Sequence, residues 1–410
     1  MKDKIFIILT GLILGAMLCS CQEEPVGQTA TNHTPPGKIT NAHADPLPGG
    51  ARITYTLPKD NDLLYVKAVY NVNGVVKTEA SSLYNKSLEI KGFGTTDEQT
   101  VLLYCVNRSN VYSEPVEVKI RPDTPPITHI RNSMKMNPGF GGVQILWKNE
   151  YKAPVAIYVV AADSIGDIKV ADVVYTSAED GRFNLRGFDD SSRLFGVYVR
   201  DHWDNYSDTL KGVFTPYFEE ELEKAKFKRA SLLADNTTIY GSGWAFERLW
   251  DGDINSPYIQ GAAGSHPNYF TIDLGVEAKL SRYSLWHRLY NPSNSAESYM
   301  YGVTPNLKKW KIYGASQLST STDLDYWKDD GWKADWFLLA DCYSIKPSGE
   351  GSTITQEDYE YAMNGFEFEI PLNAPSVRFI RFYVETTWSG TGTQVNIGEV
   401  AFWGEVKNKN

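Results

Sequence analysis

The strongest constraint on this chain is that it repeats itself. Pro48-Gly49-Gly50-Ala51-Arg52-Ile53-Thr54-Tyr55 returns about ninety residues later as Phe140-Gly141-Gly142-Val143-Gln144-Ile145-Leu146-Trp147. Ser87-Leu88-Glu89-Ile90-Lys91-Gly92-Phe93 is echoed by Arg182-Phe183-Asn184-Leu185-Arg186-Gly187-Phe188. Tyr104-Cys105-Val106 with Tyr112-Ser113 is echoed by Val197-Tyr198-Val199 with Tyr206-Ser207. Three blocks in one order at nearly constant spacing mean two copies of one module. Both copies read as short strands: Val66, Ala68 and Tyr70 alternate with Lys67 and Val69, and 155–161 is β-rich without helical periodicity. Turn residues punctuate them at Asp60-Asn61-Asp62, Asn73-Gly74 and 201–205.

A module of about 90 residues, with about seven short strands and no paired cysteines, predicts an immunoglobulin-like sandwich. The prolines before each copy (Pro35-Pro36 and Pro125-Pro126) and the late Tyr-Ser pair resemble fibronectin type III modules. The resemblance places the modules at 37–123 and 124–218. It implies spacers, with ligand binding as the alternative.

Phe218-Glu219-Glu220-Glu221-Leu222-Glu223-Lys224-Ala225 reads as a short helix or linker. Beyond it the composition changes, because most of the 11 tryptophans follow. Strand signals are strong from 226 to 410. Tyr269-Phe270-Thr271-Ile272-Asp273-Leu274 alternates and stops at Gly275; Ile380, Phe382 and Val384 oppose Arg381, Tyr383 and Glu385; the chain closes on Glu399-Val400-Ala401-Phe402-Trp403. An all-β chain is therefore expected throughout.

Four blocks of this last region resemble the discoidin, or factor V/VIII C-type, domain, which includes the family 32 carbohydrate-binding modules. They are Ala245-Phe246 leading to Trp250-Asp251-Gly252-Asp253, then Phe270 to Gly275, then Arg378-Phe379-Ile380-Arg381 followed by Thr387-Trp388-Ser389-Gly390, and finally Gly398-Glu399-Val400 before Phe402-Trp403-Gly404. The resemblance implies a jelly-roll β-sandwich that binds carbohydrate at loops on one end. The long acidic and aromatic insertion at 315–366 departs from the family.

A saccharide site needs an aromatic face for the C–H side of the ring and fixed polar groups for the hydroxyls. By the resemblance these roles fall to Gln260, Arg288, Asn291 or Asn294, and Trp388. Gln260 stands where a histidine is common, and His287, beside Arg288, can supply what Gln260 does not. Trp244, Tyr258, Tyr299 and Tyr301 would extend the platform. The competing structural readings put Trp286, Trp310 and Trp403 in the core and make Trp327, Trp332 and Trp336 a packed satellite cluster. Asp251, Asp253, Ser256 and Glu399 offer hard oxygens around a tight turn, a donor set suited to a structural Ca²⁺. The alternative is that Asp251 caps a turn and Glu399 pairs with an arginine such as Arg248.

The N-terminus fixes the expected compartment. Lys2 and Lys4 precede an apolar run at 5–18, shorter than a membrane span of about 20 residues and laid out as a secretory signal. Leu18-Cys19-Ser20-Cys21 resembles the bacterial lipobox, so 1–21 reads as a lipoprotein signal with Cys21 acylated. Gln22-Glu23-Glu24 resembles the acidic export signal that directs Bacteroidetes lipoproteins to the exterior face of the outer membrane, and 22–36 is a polar, Pro- and Thr-containing tether. Cys105 and Cys342 fall in different modules and are expected to stay free. A net charge of −10 argues against nucleic acid as a partner.

No Gly-x-Ser-x-Gly elbow and no His-Glu-x-x-His spacing occurs, and no domain demands catalysis. The whole arrangement resembles Bacteroidetes polysaccharide-utilisation lipoproteins. The expected protein is a non-catalytic surface glycan binder that captures polysaccharide or oligosaccharide for uptake, beside an outer-membrane glycan importer. The alternative is an adhesin or assembly component with a protein partner.

Overall fold

The structure, a computed structural model, describes residues 32–261, 267–288, 300–301, 304–351, 353–390 and 394–407. Cys21, the leader, Asn291, Asn294 and Tyr299 lie outside the described residues. The protein is all-β: two immunoglobulin- and fibronectin-like sandwiches precede a discoidin-like jelly-roll sandwich.

The first module sets a three-stranded sheet (Thr40–Leu47, Gly50–Thr56, Ser87–Lys91) against a four-stranded one (Val75–Ser82, Leu63–Val72, Gln99–Asn107, Val116–Ile120, in spatial order). The second repeats this order with Lys135–Gly139, Gly142–Lys148, Asp180–Leu185 and with Ile168–Thr176, Val155–Ala162, Arg193–Asp201, Leu210–Phe214. The sequence repeat now has a physical cause. Gly49 and Gly141 take positive φ (63° and 62°) at the first hairpin of each module. A Cβ on Gly50 would lie 2.1 Å from the Ile90 carbonyl oxygen, and one on Gly142 would lie 2.2 Å from that of Leu185. The Tyr-Ser pair recurs because Ser113 accepts from the Cys105 amide at 3.0 Å, just as Ser207 accepts from the Val199 amide at 2.9 Å.

The copies differ at their entrance. Helix Pro126–Ser133 opens the second module and buries Ile127 and Ile130, with Pro126 in the first turn where a missing N–H costs nothing. The two modules are joined by polar contacts. Asn73 Nδ2 donates to the Trp203 carbonyl (3.0 Å) and to Asn205 Oδ1 (2.8 Å), Asn205 Nδ2 donates to the Gly92 carbonyl (2.8 Å), and the Trp203 indole packs on Gly92.

In the third unit, strand Asn268–Trp286 runs through both layers of the sandwich. Its first part pairs with Val377–Thr387 and its second with Glu399–Val406. Gly275, at φ 70°, makes the corner between them. Both ends of this strand, the end of Val377–Thr387 and the start of Glu399–Val406 therefore meet at one tip of the sandwich. The main core lies between the layers (Phe270, Tyr283, Trp310, Phe382, Phe402), and a second aromatic cluster (Tyr269, Tyr313, Trp327, Trp332, Trp336) lies outside the sheet. The insertion supplies that second cluster through helix Leu324–Lys328 and the turn Asp330–Asp335, then adds edge strand Phe337–Tyr343 and helix Gln356–Asn364.

The segment read as a linker belongs to this unit. Glu220–Glu221 pairs with Trp403 and Gly404, the Leu222 amide donates to the Phe402 carbonyl at 2.8 Å, and Leu222 is buried; only the turn Lys224–Lys226 is helical, of the 3-10 kind. Cys105 and Cys342 are both free and buried, in separate cores. Among the described residues no helix is long and apolar enough to cross a membrane.

Candidate functional site

Arg288 and Trp388 are brought together by Asn306, which is fully buried. Asn306 Oδ1 accepts from the Arg288 amide at 3.0 Å, its Nδ2 donates to the Met300 carbonyl at 3.1 Å, and its own carbonyl accepts from the Trp388 amide at 2.9 Å. Three chain segments distant in sequence thus share one polar residue at the tip. The sequence held a weak signal for Asn306, an asparagine after proline just before an apolar strand, which local pattern cannot separate from an ordinary turn.

The aromatic faces at this tip carry cations. The Arg288 guanidinium lies 5.3 Å from the Trp244 ring, and Tyr240, four residues earlier in the chain, is 69% exposed. Trp388 is half-buried, its Nε1 donates to Ser344 Oγ at 2.7 Å, Tyr301 meets it edge-on at 4.9 Å, and the Lys308 ammonium sits 4.6 Å over its ring. Lys308 in turn pairs with Glu350 at 3.1 Å, and Glu350 accepts from the Tyr343 hydroxyl at 2.8 Å. Burial first, and then that contact, raises the Tyr343 hydroxyl to about 12.

Other expected contacts turn inward. Gln260 is fully buried: its Oε1 accepts from Asn268 (2.7 Å) and Asn236 (3.2 Å), and its Nε2 donates to Asn268 (3.3 Å). It clasps three segments beneath the tip and presents nothing to solvent. His287 is also fully buried, its Nε2 donating to the Leu307 carbonyl at 3.0 Å and its ring between Phe366 and Tyr301. Burial pushes His287 down to about 4, so at neutral pH it is an uncharged core residue. Tyr258 is packed against Phe246 and Phe270, with burial raising it to about 12. Trp310 is core, as expected, whereas Trp286 and Trp403 are only partly covered, Trp403 by the Arg282 guanidinium at 4.1 Å. Trp327, Trp332 and Trp336 form the satellite cluster.

Three of the four side chains considered for Ca²⁺, Asp251, Asp253 and Glu399, have other partners. Asp251 Oδ2 accepts from Arg248 at 2.8 Å and its Oδ1 from the Asp253 amide at 3.0 Å; Asp253 Oδ1 accepts from the Asn255 amide at 3.0 Å; the Ser256 amide bonds the Asp253 carbonyl at 2.9 Å. Glu399 is almost fully enclosed, with Lys224 Nζ on Oε1 at 2.8 Å and the Gly252 amide on Oε2 at 3.2 Å. Burial pushes the Glu399 carboxyl up to about 7, against the pull of Lys224 and Gly252. Calcium takes six to eight oxygens, and here Arg248 already holds Asp251 and Lys224 holds Glu399. Among the described residues no group of three or more His, Cys, Asp or Glu side chains is placed to hold a metal. Glu399 pairs with Lys224 rather than Arg248, which belongs to Asp251.

The chain is a modular all-β protein: three β-sandwiches in series, the last bearing aromatic and hydrogen-bonding side chains on converging loops. Profiles of three families match it, each described as a domain of unknown function: DUF4959 over residues 36–122, DUF5126 over 123–225 and DUF5000 over 250–404. A solved structure described as SusE-like protein BT2857 is 32% identical, with the match covering 69% of this chain and 100% of that one at a TM-score of 0.43. The chain belongs to the SusE-like family, by sequence identity across the whole of that relative rather than by superposition. Looser likenesses are a two-module fibronectin type III segment of chicken tenascin (12% identity, 44% and 99% coverage, TM-score 0.23) and the CBM32-1 and CBM32-2 domains of Clostridium perfringens ZmpB in complex with GalNAc (14%, 45% and 36%, 0.30). Neither of these carries an argument by itself. No functionally curated sequence matches the chain.

Proposed function

We propose that this protein is a non-catalytic, cell-surface glycan-binding lipoprotein that captures polysaccharide or oligosaccharide at the tip of its third sandwich for uptake. The observation that carries this reading is the convergence on Asn306, which holds Arg288 and Trp388 at one tip, with the Trp244 ring against Arg288 and an exposed Tyr240 four residues before Trp244. An aromatic face with a charged donor at its edge supplies the stacking surface and the hydroxyl partner that a sugar ring requires. On this reading Trp244 and Tyr240 take the stacking role, Arg288 the polar one, and Gln260 and His287 support the loops from below. Family membership supports the setting: acylation at Cys21 anchors the chain to the outer membrane, facing outward beside a glycan importer, with the two fibronectin-like modules as spacers.

A protein partner is the second reading, and one observation favours it. The edge strands of the two four-stranded sheets, Val75–Ser82 and Ile168–Thr176, expose Val75, Val76, Ile168, Val170 and Tyr175. Unpaired strand edges with apolar side chains are ready templates for association. Affinity electrophoresis of a soluble form lacking residues 1–36 in gels containing candidate glycans separates the two. Retardation by at least one glycan, abolished by Trp244→Ala with Arg288→Ala, supports capture. Unaltered migration in every gel, together with retention by a purified outer-membrane partner, sinks it. Release of sugar from any glycan by the purified protein would overturn the non-catalytic assignment.

A further inference from the structure

Glu399 opens the last strand with its carboxylate almost wholly removed from solvent, and such a group needs a positive charge or a set of donors beside it. In this protein the charge comes from Lys224, 2.8 Å away, and the donor is the amide of Gly252, at 3.2 Å, in the turn 251–253. Gly252 holds φ at 85° in that turn. Both oxygens of Asp251, Oδ1 of Asp253 and both oxygens of Glu399 are met by Arg248, by backbone amides or by Lys224. Lys224 is held by its own surroundings. Glu220–Glu221 pairs with Gly404 and Trp403, Leu222 is buried and bonded to Phe402, Phe227 is buried just beyond the 3-10 turn, and Glu221 lies 3.4 Å from the ammonium.

We infer that the Lys224 ammonium stands in for a structural metal ion between the 251–253 turn and the last strand, so that residues 220–224 complete the third sandwich and no calcium is needed. An ion would tie two remote pieces of chain through shared carboxylates. The Lys224–Glu399 pair ties three: the segment arriving from the second module through Lys224, the last strand through Glu399, and the turn through the Gly252 amide on Glu399. The arriving segment is fixed further by Glu219, whose carboxylate accepts from Ser281 at 2.6 Å and from Arg186 of the second module at 3.1 Å. A third sandwich cut at residue 226 therefore lacks a paired strand, a buried leucine and the counter-charge of a buried glutamate.

The test uses the chain from residue 22 onward. Calcium titration followed by heat, and melting in excess calcium against excess EDTA, are expected to show no binding and one Tm within about 1 °C. Lys224→Met is expected to lower Tm by about 5 °C or more, because a buried carboxylate loses its partner, while Lys224→Arg keeps most of it and Lys224→Met with Glu399→Gln regains at least half the loss. A fall in wild-type Tm in EDTA, a saturable calcium heat, or an unchanged Tm in Lys224→Met would each overturn the inference. The wild-type calcium comparison decides alone should Lys224→Met fail to fold.

Discussion

Arg186 of the second module holds Glu369 of the third with both terminal nitrogens, Nη1 at 2.8 Å and Nη2 at 2.9 Å, while its Nε reaches Glu219 at 3.1 Å. The three side chains are largely covered, at 19%, 28% and 11% exposure. A planar guanidinium gripping one carboxylate with two parallel bonds is geometrically selective, and shielding from water keeps it strong. Charge thus contributes a directed, partly shielded contact to the joint between the second and third sandwiches.

Removing that grip should loosen the joint. Arg186→Met is expected to cost about 1.5–3 kcal/mol through the lost charge-assisted bonds, and to expose the chain near residues 214–220 to protease. A double-mutant cycle with Glu369→Gln should give a coupling of roughly 1 kcal/mol or more. A coupling near zero, with unaltered proteolysis, would mean that the sandwiches are held together by something else.

Asn306 offers a sharper probe of the proposed glycan tip than either residue it positions. Asn306→Ala removes the acceptor for the Arg288 amide and the donor to the Met300 carbonyl. It should cost about 1–3 kcal/mol of stability and weaken retardation on a recognised glycan roughly tenfold, although it touches no ligand. Lys308→Ala is the contrasting variant, since it uncovers the Trp388 ring without disturbing Asn306. Equal retardation of wild type and Asn306→Ala would remove the tip from the binding account.

The repeat, the alternation and the glycine-rich turns made the sandwich fold legible because they are local. Gly49-Gly50 and Gly141-Gly142 answer to backbone geometry within one hairpin, and Ser113 and Ser207 answer to an amide eight residues back. The tip was legible only in part. Arg288 and Trp388 meet there, yet Gln260 and His287, chosen for their place along the chain, turn inward because burial depends on which layer a strand end enters. The partner of Glu399 was least legible of all. Lys224 lies 175 residues away in a segment whose run of glutamates reads as a solvated linker, and only strand pairing with Trp403 and Gly404 reveals its place.

Arg381 shows what the insertion does for stability. It is fully buried, 3.2 Å from Asp235, with its guanidinium 4.4 Å from the Trp332 ring, 4.7 Å from Tyr269 and 5.3 Å from Trp327; its Nη2 donates to the Trp327 carbonyl at 3.1 Å. Burial pulls Arg381 down and pushes Asp235 up, each opposed by the other's charge. Arg381→Met leaves Asp235 buried without a partner and is expected to cost about 3–5 kcal/mol, whereas Arg381→Met with Asp235→Leu should recover most of it. Denaturant unfolding followed by tryptophan fluorescence reads this directly, because Trp327 and Trp332 line the cage. A double variant as unstable as the single would show that the rings, not the charge pair, hold the insertion down.

Asp358 gives the chain a defined acid sensitivity. Its side chain caps helix Gln356–Asn364 by accepting from the Thr355 amide at 2.8 Å, and it also accepts from the Ser348 amide (2.8 Å) and hydroxyl (2.6 Å), with Lys346 at 3.2 Å. Burial alone would raise its pKa, but these donors together hold the carboxyl well below the usual carboxylate range. The unfolded chain takes up this proton near pH 3.9, while the folded chain still refuses it. Between those points the unfolded state binds more protons, so stability falls as pH falls. The contribution is complete above about pH 4–5 and drains away on acidification. Asp358→Asn should therefore be clearly less stable than wild type near neutrality, and the gap should narrow steadily in denaturant melts taken at progressively lower pH down to about 3. A gap of constant size over that range would show that the carboxylate's charge contributes nothing and that only its shape matters to the helix.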